Sequence, residues 1–249
     1  MKEQIVLQAD SITHRYEKEN IIEDISFTLH KGEIISLLGV SGVGKTTLFH
    51  VLAGLITPTS GNVILEGTDV TGQTGQISYM LQKDMLLPHF TIEDNISLPL
   101  RMKGIGKKEA RCEVARHLDS FSLSGTQKKY PSQLSGGMRQ RAALLRTYLF
   151  SGKASLLDEP FSALDAITKS EMHAWYLKIM KQIKMSTIFI THDIDEAVYL
   201  SDRIFIMRGK PGRIAEEIRI EKPQEDLVHY NLTKEFLDYK KKIIEYLKV

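Results

Sequence analysis

Cysteine is almost absent from this sequence, Cys112 being the single copy. An intrachain disulfide is therefore impossible, and with it the stapled frameworks of small secreted domains. Charge of one sign is also scarce, since 33 basic residues face 31 acidic ones for a net charge of +2. No chain-wide field that gathers polyanions follows from that balance, so nucleic acid is not expected as a partner. Long hydrophobic runs are missing too. The longest apolar stretches, residues 34–40 and 204–207, have strand length and stop at glycine or charge, whereas a membrane-spanning helix needs about 20 apolar residues. Residues 1–10 mix Lys2, Glu3 and Gln4 with single apolar side chains and lack the ordered regions of a secretory signal. A cytosolic setting is the simpler reading, and if the protein works at a membrane something else must hold it there. What the chain does have is 249 residues, 42% of them apolar, enough for a sizeable core in one domain of two lobes or two small ones.

Patterning divides the chain. Residues 21–29 alternate apolar and polar side chains, Lys31-Gly32 punctuates them, and the run Ile34-Ile35-Ser36-Leu37-Leu38 then reads as a buried parallel strand. A glycine-rich stretch and helical apolar spacing over 45–55 follow. Short strands are expected at 62–66 and 76–82, separated from what precedes by the turn signal Pro58-Thr59-Ser60-Gly61. From about Pro88 to Leu149 the spacing is mostly helical, with Thr91-Ile92-Glu93-Asp94 as a start signal and Gly104 to Gly106 as a break, which predicts an inserted helical lobe. Strands at 155–157 and 187–191 flank a long helix predicted over 162–183. Alternating strands and helices argue an α/β domain with a largely parallel sheet. Past Gly212 the chain turns polar, and Phe236, Ile243, Ile244 and Leu247 fall on one face of a predicted C-terminal helix.

Gly39-Val40-Ser41-Gly42-Val43-Gly44-Lys45-Thr46 fits the P-loop pattern and lies between a predicted strand and a predicted helix, the context that pattern needs. Glycines let backbone N–H groups turn inward around phosphates, the helix start adds partial positive charge, Lys45 reaches the β and γ phosphates, and Thr46 offers a hydroxyl to Mg²⁺. Ser155-Leu156-Leu157-Asp158-Glu159 ends an apolar strand in two carboxylates. Asp158 is suited to hold Mg²⁺ and Glu159 to polarise an attacking water. A solvated strand end before the Pro160 turn is the plainer alternative for the pair taken alone.

Leu134-Ser135-Gly136-Gly137-Met138-Arg139-Gln140-Arg141 resembles the signature motif of ATP-binding cassette (ABC) ATPases, and it lies between the P-loop and the acidic pair as it does in that family. Physically it is a serine and two glycines opening a helix over 138–149, a second set of backbone donors suited to a phosphate. The resemblance extends to about residue 215. It implies that Tyr16 stacks on adenine, that Gln82 senses Mg²⁺ and the attacking water, that Ser162-Ala163-Leu164-Asp165 communicates across a dimer, and that His192 contacts the γ-phosphate. Outside that company Tyr16 and Gln82 read as surface or edge residues, Asp165 as a helix-end acid and His192 as a strand-end histidine. Strings such as Gln82-Lys83-Asp84-Met85-Leu86-Leu87-Pro88 and Pro211-Gly212-Arg213-Ile214 are similar to those of the nitrate, sulfonate and taurine importer ATPases, a group that includes carriers of thiamine-precursor pyrimidines. Departures from the pattern are Val40 for a proline, Thr47 after Thr46, Ser155 in an otherwise apolar strand, and Thr147-Tyr148 after Arg146.

The resemblance implies an α/β P-loop NTPase (RecA-like) core with an N-terminal antiparallel β subdomain and an inserted helical signature subdomain at about 88–150. The nucleotide-binding domain is expected over 1–220, and a mostly helical extension over 221–249. Also implied are ATP and Mg²⁺ as cofactors: nucleotide on residues 39–47 and Tyr16, metal on Thr46, Gln82 and Asp158, and catalysis by Glu159, His192 and Gln82. One P-loop and one signature per chain imply a head-to-tail homodimer, with Ser135, Gly136, Gly137 and Asp165 of one subunit facing the ATP of the other. The remaining expected partners are transmembrane permease subunits and, indirectly, an extracytoplasmic substrate-binding protein, which puts the chain at the cytoplasmic face of the cell membrane. Met85, Leu86, Leu87 and Phe90 read either as a permease contact or as core of the helical lobe. Rival functions are a cassette ATPase working on a non-transport partner and, further off, a P-loop kinase or GTPase, which has no need of the signature string.

Overall fold

A computed structural model describes residues 4–151, 153–223 and 227–248. Residues 1–3, Gly152, 224–226 and Val249, which belong to the N-terminal reading and the expected domain ranges, lie outside the described residues.

Two long strands open the chain, β1 (Ile5–Tyr16) and β2 (Glu19–His30), paired antiparallel. The buried strand β3 (Ile34–Gly39) leads through the P-loop into helix α1 (Lys45–Leu52). Strands β4 (Ser60–Leu65) and β5 (Thr68–Asp69) then complete an antiparallel sheet of order β2-β1-β4-β5. The short β6 (Ser78–Met80) precedes three helices, α2 (Ile92–Met102), α3 (Lys107–His117) and α4 (Gly136–Phe150). There follow β7 (Ala154–Asp158), α5 (Ala166–Ile183), β8 (Ser186–Ile190), α6 (Ile194–Leu200), β9 (Arg203–Arg208), β10 (Arg213–Arg219) and α7 (Lys234–Lys248). The second sheet has the order β10-β9-β3-β8-β7-β6 and is parallel except for the β10–β9 pair.

That order does most of the positioning. In a parallel sheet all carboxyl ends lie along one edge, the edge where ligands of α/β proteins bind. Register pairs Leu37 and Asp158 with Ile190, and Met80 with Leu157. The segments after β3, β6, β7 and β8 therefore emerge side by side. They carry the P-loop, Gln82, Asp158-Glu159 and His192.

Three apolar clusters hold the layers. One joins the antiparallel sheet to α1 and the core of β3, β7 and β8; a second fills the helical lobe around Ile92, Val114, Phe121 and Leu145; a third seats α7 through Tyr230, Phe236 and Ile243 against Ile204 and Ile218. Helix α2 begins where the sequence signals it, Thr91 accepting from the Asp94 N–H at 3.3 Å. Arg111 of α3 grips Asp94 with two N–H groups at 2.8 and 2.9 Å, so the two helices are pinned at that end.

Several boundaries differ from the sequence reading. Helix α5 starts at Ala166 rather than at 162, because Asp165 caps it by accepting from the Thr168 N–H at 3.1 Å, and 162–164 form a loop. Helix α1 stops at Leu52, before Gly54 turns left-handed. The strand expected over 76–82 is only Ser78–Met80, so Gln82 stands beyond it in a turn. Helix α4 begins two residues early, which places Gly136 and Gly137 inside its first turn behind the Ser135 cap. Ser155, the polar residue in a buried strand, faces Ser78 of the neighbouring strand with hydroxyls 2.8 Å apart, so each satisfies the other.

Candidate functional site

The P-loop closes around Gly44, which caps α1 in a left-handed conformation at φ 105. A Cβ there would sit 2.5 Å from the Ile22 side chain, so both the torsion and the space require glycine. No acidic residue occupies the first turn of α1, leaving its positive end uncompensated. Lys45 arcs back over the loop and donates to the carbonyls of Gly39 at 2.7 Å and Val40 at 3.0 Å. Burial pulls its ammonium below the ordinary lysine value, against the opposing charges of Glu159 and Asp158. A cleft of about 460 Å³ is lined here by Gly39, Ser41, Gly42, Gly44, Lys45, Thr46 and Thr47, facing Asp158, Glu159 and His192. Val43 contributes backbone only, its side chain being buried in the core, and Val40 projects outward with its side chain exposed.

On the facing side Glu159 occupies a left-handed backbone conformation at φ 45, which strains a non-glycine residue. Its amide donates to the Ile190 carbonyl at 3.0 Å, fixing it beside β8. Gln82 donates to Glu159 Oε2 at 2.9 Å, and His192 Nδ1 lies 3.3 Å from Glu159 Oε1. The three residues expected to act in catalysis are thus one connected group at the mouth of the cleft. Asp158 sits beside them, half-buried, accepting from the Tyr79 hydroxyl at 3.2 Å. Burial, outweighing that hydrogen bond, holds its carboxyl above the ordinary aspartate value and pushes the Tyr79 phenol far above its own.

Among the described residues no cluster of three His, Cys, Asp or Glu is placed to hold a metal ion. The donor set nonetheless fits Mg²⁺. That ion takes one or two protein oxygens and completes its shell with water and phosphate, and the Thr46 hydroxyl and Asp158 carboxylate line one cleft.

Asp158 yields a test with a definite sign. A carboxyl whose folded value is raised loses its proton in the unfolded chain first, so stability falls as pH rises through the window between the two values. Asp158→Asn is expected to raise the melting midpoint of the nucleotide-free chain at pH 7 while reducing ATP turnover by about a hundredfold or more. Differential scanning calorimetry and a phosphate-release assay check the two effects.

A family model described as "ABC transporter" matches residues 22–162. The chain belongs to the ABC transporter family. Among its relatives, the formylaminopyrimidine import ATP-binding protein ThiZ of Halalkalibacterium halodurans is 42% identical, over 86% of this chain and 84% of its own length. The aliphatic sulfonates import ATP-binding protein SsuB of Bacillus cereus is 36% identical, over 97% and 95% respectively. A dimeric structure of a post-hydrolysis state of the ATP-binding cassette MJ0796, bound to ADP and Pi, matches with a TM-score of 0.72 at 25% identity, covering 87% of this chain and 100% of that one. This ABC cassette therefore binds and hydrolyses ATP.

Other expected site residues stand apart from the cleft. Ser135 is exposed and caps α4, accepting from the Met138 N–H at 3.3 Å, with Gly137 packed on Thr168 and Met172. Gly136 lines a neighbouring groove of about 680 Å³ that shares Glu159 and His192 with the cleft and adds Gln82, Asp84 and Arg139. Asp165 serves as the cap of α5, and hydrogen bonds from Thr168 hold its carboxyl below the ordinary value. Tyr16 is half-exposed, its ring edge-on to His14 with centroids 4.8 Å apart, and it does not line the cleft.

Some residues that shape the site were given no individual role by the sequence. Tyr79 reaches Asp158 only through the β6–β7 register. Arg146 of α4 donates to the carbonyls of Asp84 at 2.5 Å and Met85 at 2.8 Å, and Arg139 pairs with Asp84 at 3.1 Å, so the signature helix grips the segment just after Gln82. Gln140 of the same helix donates to the Pro160 carbonyl beside Glu159. The apolar cluster read after Gln82 is divided: Leu86 is buried in the helical lobe, Met85 and Leu87 are exposed.

Proposed function

We propose that this cassette is the ATPase subunit of an importer, working at the cytoplasmic face of the cell membrane as a head-to-tail homodimer and driving a separate permease for a small solute. The observation that carries the reading is the Gln82–Glu159–His192 group at the mouth of a P-loop cleft. In it Glu159 takes a proton from a water whose oxygen attacks the γ-phosphorus as the bond to the β-phosphate oxygen breaks, leaving ADP and phosphate. Gln82 holds the Glu159 carboxylate on one side, His192 beside it positions the water and the γ-phosphate, and Lys45 with the α1 N-terminus steadies the phosphate oxygens. Thr46, Asp158 and Gln82 would hold Mg²⁺, which supplies charge neutralisation along the phosphates when bound. Tyr16 stacks on the adenine, and Ser135, Gly136 and Gly137 complete the partner subunit's site with the Asp165 loop alongside.

Among the described residues no helix is long and apolar enough to cross a membrane, and in this reading the membrane contact is made through the permease. An apolar groove of about 370 Å³ lies between α1, β6, α2 and α4, lined by Leu55, Met85, Leu98, Met102 and Phe150 among others. Exposed apolar surface at Leu55, Met85 and Met102 fits a permease helix. The sulfonate and formylaminopyrimidine relatives support a small anionic or heteroaromatic cargo; an extracytoplasmic binding protein that delivers it is part of the proposal. With the cognate permease co-expressed, Met102→Glu is expected to abolish co-purification and cargo uptake while the isolated chain keeps its ATP affinity within about twofold, since a charge in an apolar contact costs several kcal/mol unless paired. Unchanged co-purification would remove the groove from this reading.

A further inference from the structure

His192 is two-thirds exposed, its side chain at 66%, and its pair with Glu159 spans 3.3 Å. A contact that open to solvent fixes geometry poorly. The ring's position must therefore come from the backbone on either side, and that backbone is bonded throughout. Thr191, almost fully buried, donates its hydroxyl to Glu196 and accepts from the Asp193 N–H at 3.0 Å. Asp193 caps α6, accepting from the Asp195 N–H at 2.9 Å and the Glu196 N–H at 3.2 Å. The two residues flanking His192 are thus closed into one ring of bonds through Glu196, which is 2% exposed.

The ring is anchored from outside by one face of α5. Lys169 and His173 stand one turn apart, so they project together. Lys169 donates to Asp193 Oδ2 at 2.7 Å and lies 3.8 Å from Glu196 Oε1, the atom that His173 Nε2 meets at 3.0 Å. Burial alone would lower the Lys169 ammonium, but the bond to Asp193 and the Glu196 charge raise it above its ordinary value. The same His173 ring packs edge-on against Phe161, centroids 5.0 Å apart, two residues beyond Glu159. Lys169 itself closes the first turn of α5, its N–H donating to the carbonyl of the Asp165 cap at 2.8 Å.

We propose that Lys169, His173 and Glu196 are positioning residues for hydrolysis: they lock the Thr191-His192-Asp193 turn to α5, so that the loop ending at Asp165 and the His192 ring move as one piece. The inference rests on the catalytic reading of His192 given above. Lys169→Met is expected to lower kcat of the full chain with MgATP about tenfold to a hundredfold, since displacing a reacting group by an ångström costs on that order, with KM and the affinity for a fluorescent ATP analogue unchanged. Lys169→Arg should restore most of the turnover, and in a His192→Ala background Lys169→Met should cause no further loss. His173→Phe keeps a ring against Phe161 while cutting the Glu196 bond, and is expected to reproduce the kcat loss should Lys169→Met fail to fold. Equal losses from Lys169→Met in both backgrounds, or native kcat in both Lys169→Met and His173→Phe, would overturn the positioning role while leaving His192 itself in place. Native turnover in His192→Ala alone would instead overturn the catalytic reading of His192, and this inference with it.

Discussion

A Glu159→Gln variant is expected to lose about a hundredfold to ten-thousandfold in ATP turnover, the range that one general base contributes, while retaining ATP affinity and accumulating as an ATP-bound dimer. Gln fills the same volume and keeps oxygen and nitrogen atoms within reach of Gln82 and His192, which lie 2.9 and 3.3 Å from the carboxylate. It cannot accept a proton from water at neutral pH. The left-handed backbone at φ 45 is kept by either side chain, so stability should change little. Size-exclusion chromatography with ATP separates the consequences. A dimer that forms in the variant and vanishes on adding Lys45→Ala supports the shared-site mechanism. A monomer hydrolysing at the native rate removes Glu159 as base and leaves the P-loop standing.

The second large effect is expected at a residue distant in sequence from the P-loop. Gly212 donates its N–H to the Ile21 carbonyl at 2.8 Å, accepts from the Glu23 N–H at 3.0 Å, and bridges Ile22 as an isolated parallel contact between the two sheets. A Cβ at Gly212 would fall 1.9 Å from the carbonyl oxygen of Val43, inside the P-loop. Backbone on both sides cannot yield as a flexible side chain would. Gly212→Ala is therefore expected to weaken ATP binding at least about tenfold and to cost about 1–3 kcal/mol of stability, the usual range for overpacking. Isothermal titration with ATP and urea unfolding measure the two, and native values for both would show that the loop can shift aside.

Gly39 to Thr46 could be read directly because a phosphate cradle is local chemistry: the glycines act through the backbone of a single turn and Lys45 through its ammonium in the same turn. The Thr91 and Ser135 caps were legible for the same reason. The start of α5 was misplaced because the apolar residues Ala163, Leu164 and Ile167 carry helical spacing through the loop, while the true boundary is set by one side chain, Asp165, reaching Thr168. Strand β1 was not assigned from patterning, and its pairing shifts register between Ala9 and Ile12 and again before Thr13 on the other edge. The contacts of Tyr79, Arg146 and Gly212 could not be read, although Arg146 and Gly212 lie in or beside motif strings, because their partners Asp158, Asp84 and Val43 lie many tens of residues away in the chain. The motifs named Lys45, Gln82, Glu159 and His192 one by one, whereas only the strand order β3-β8-β7-β6 makes them neighbours.

The buried Ser78–Ser155 hydroxyl pair bears on how the chain avoids a wrong fold. Sliding β6 by one residue along β7 would carry Gln82 about 3.3 Å along the strand axis and turn alternate side chains to the opposite face. An all-aliphatic pair of strands would tolerate that error at modest cost. Here the slip would break the hydroxyl pair in a dry interior, leaving Ser155 only its contact to Met185 Sδ, and Ser78 would also forfeit its bond to the Ala154 carbonyl at 3.0 Å. Two small polar groups thus act as a register mark for the sheet, disfavouring alternative alignments and thereby setting how far Gln82 reaches toward Glu159.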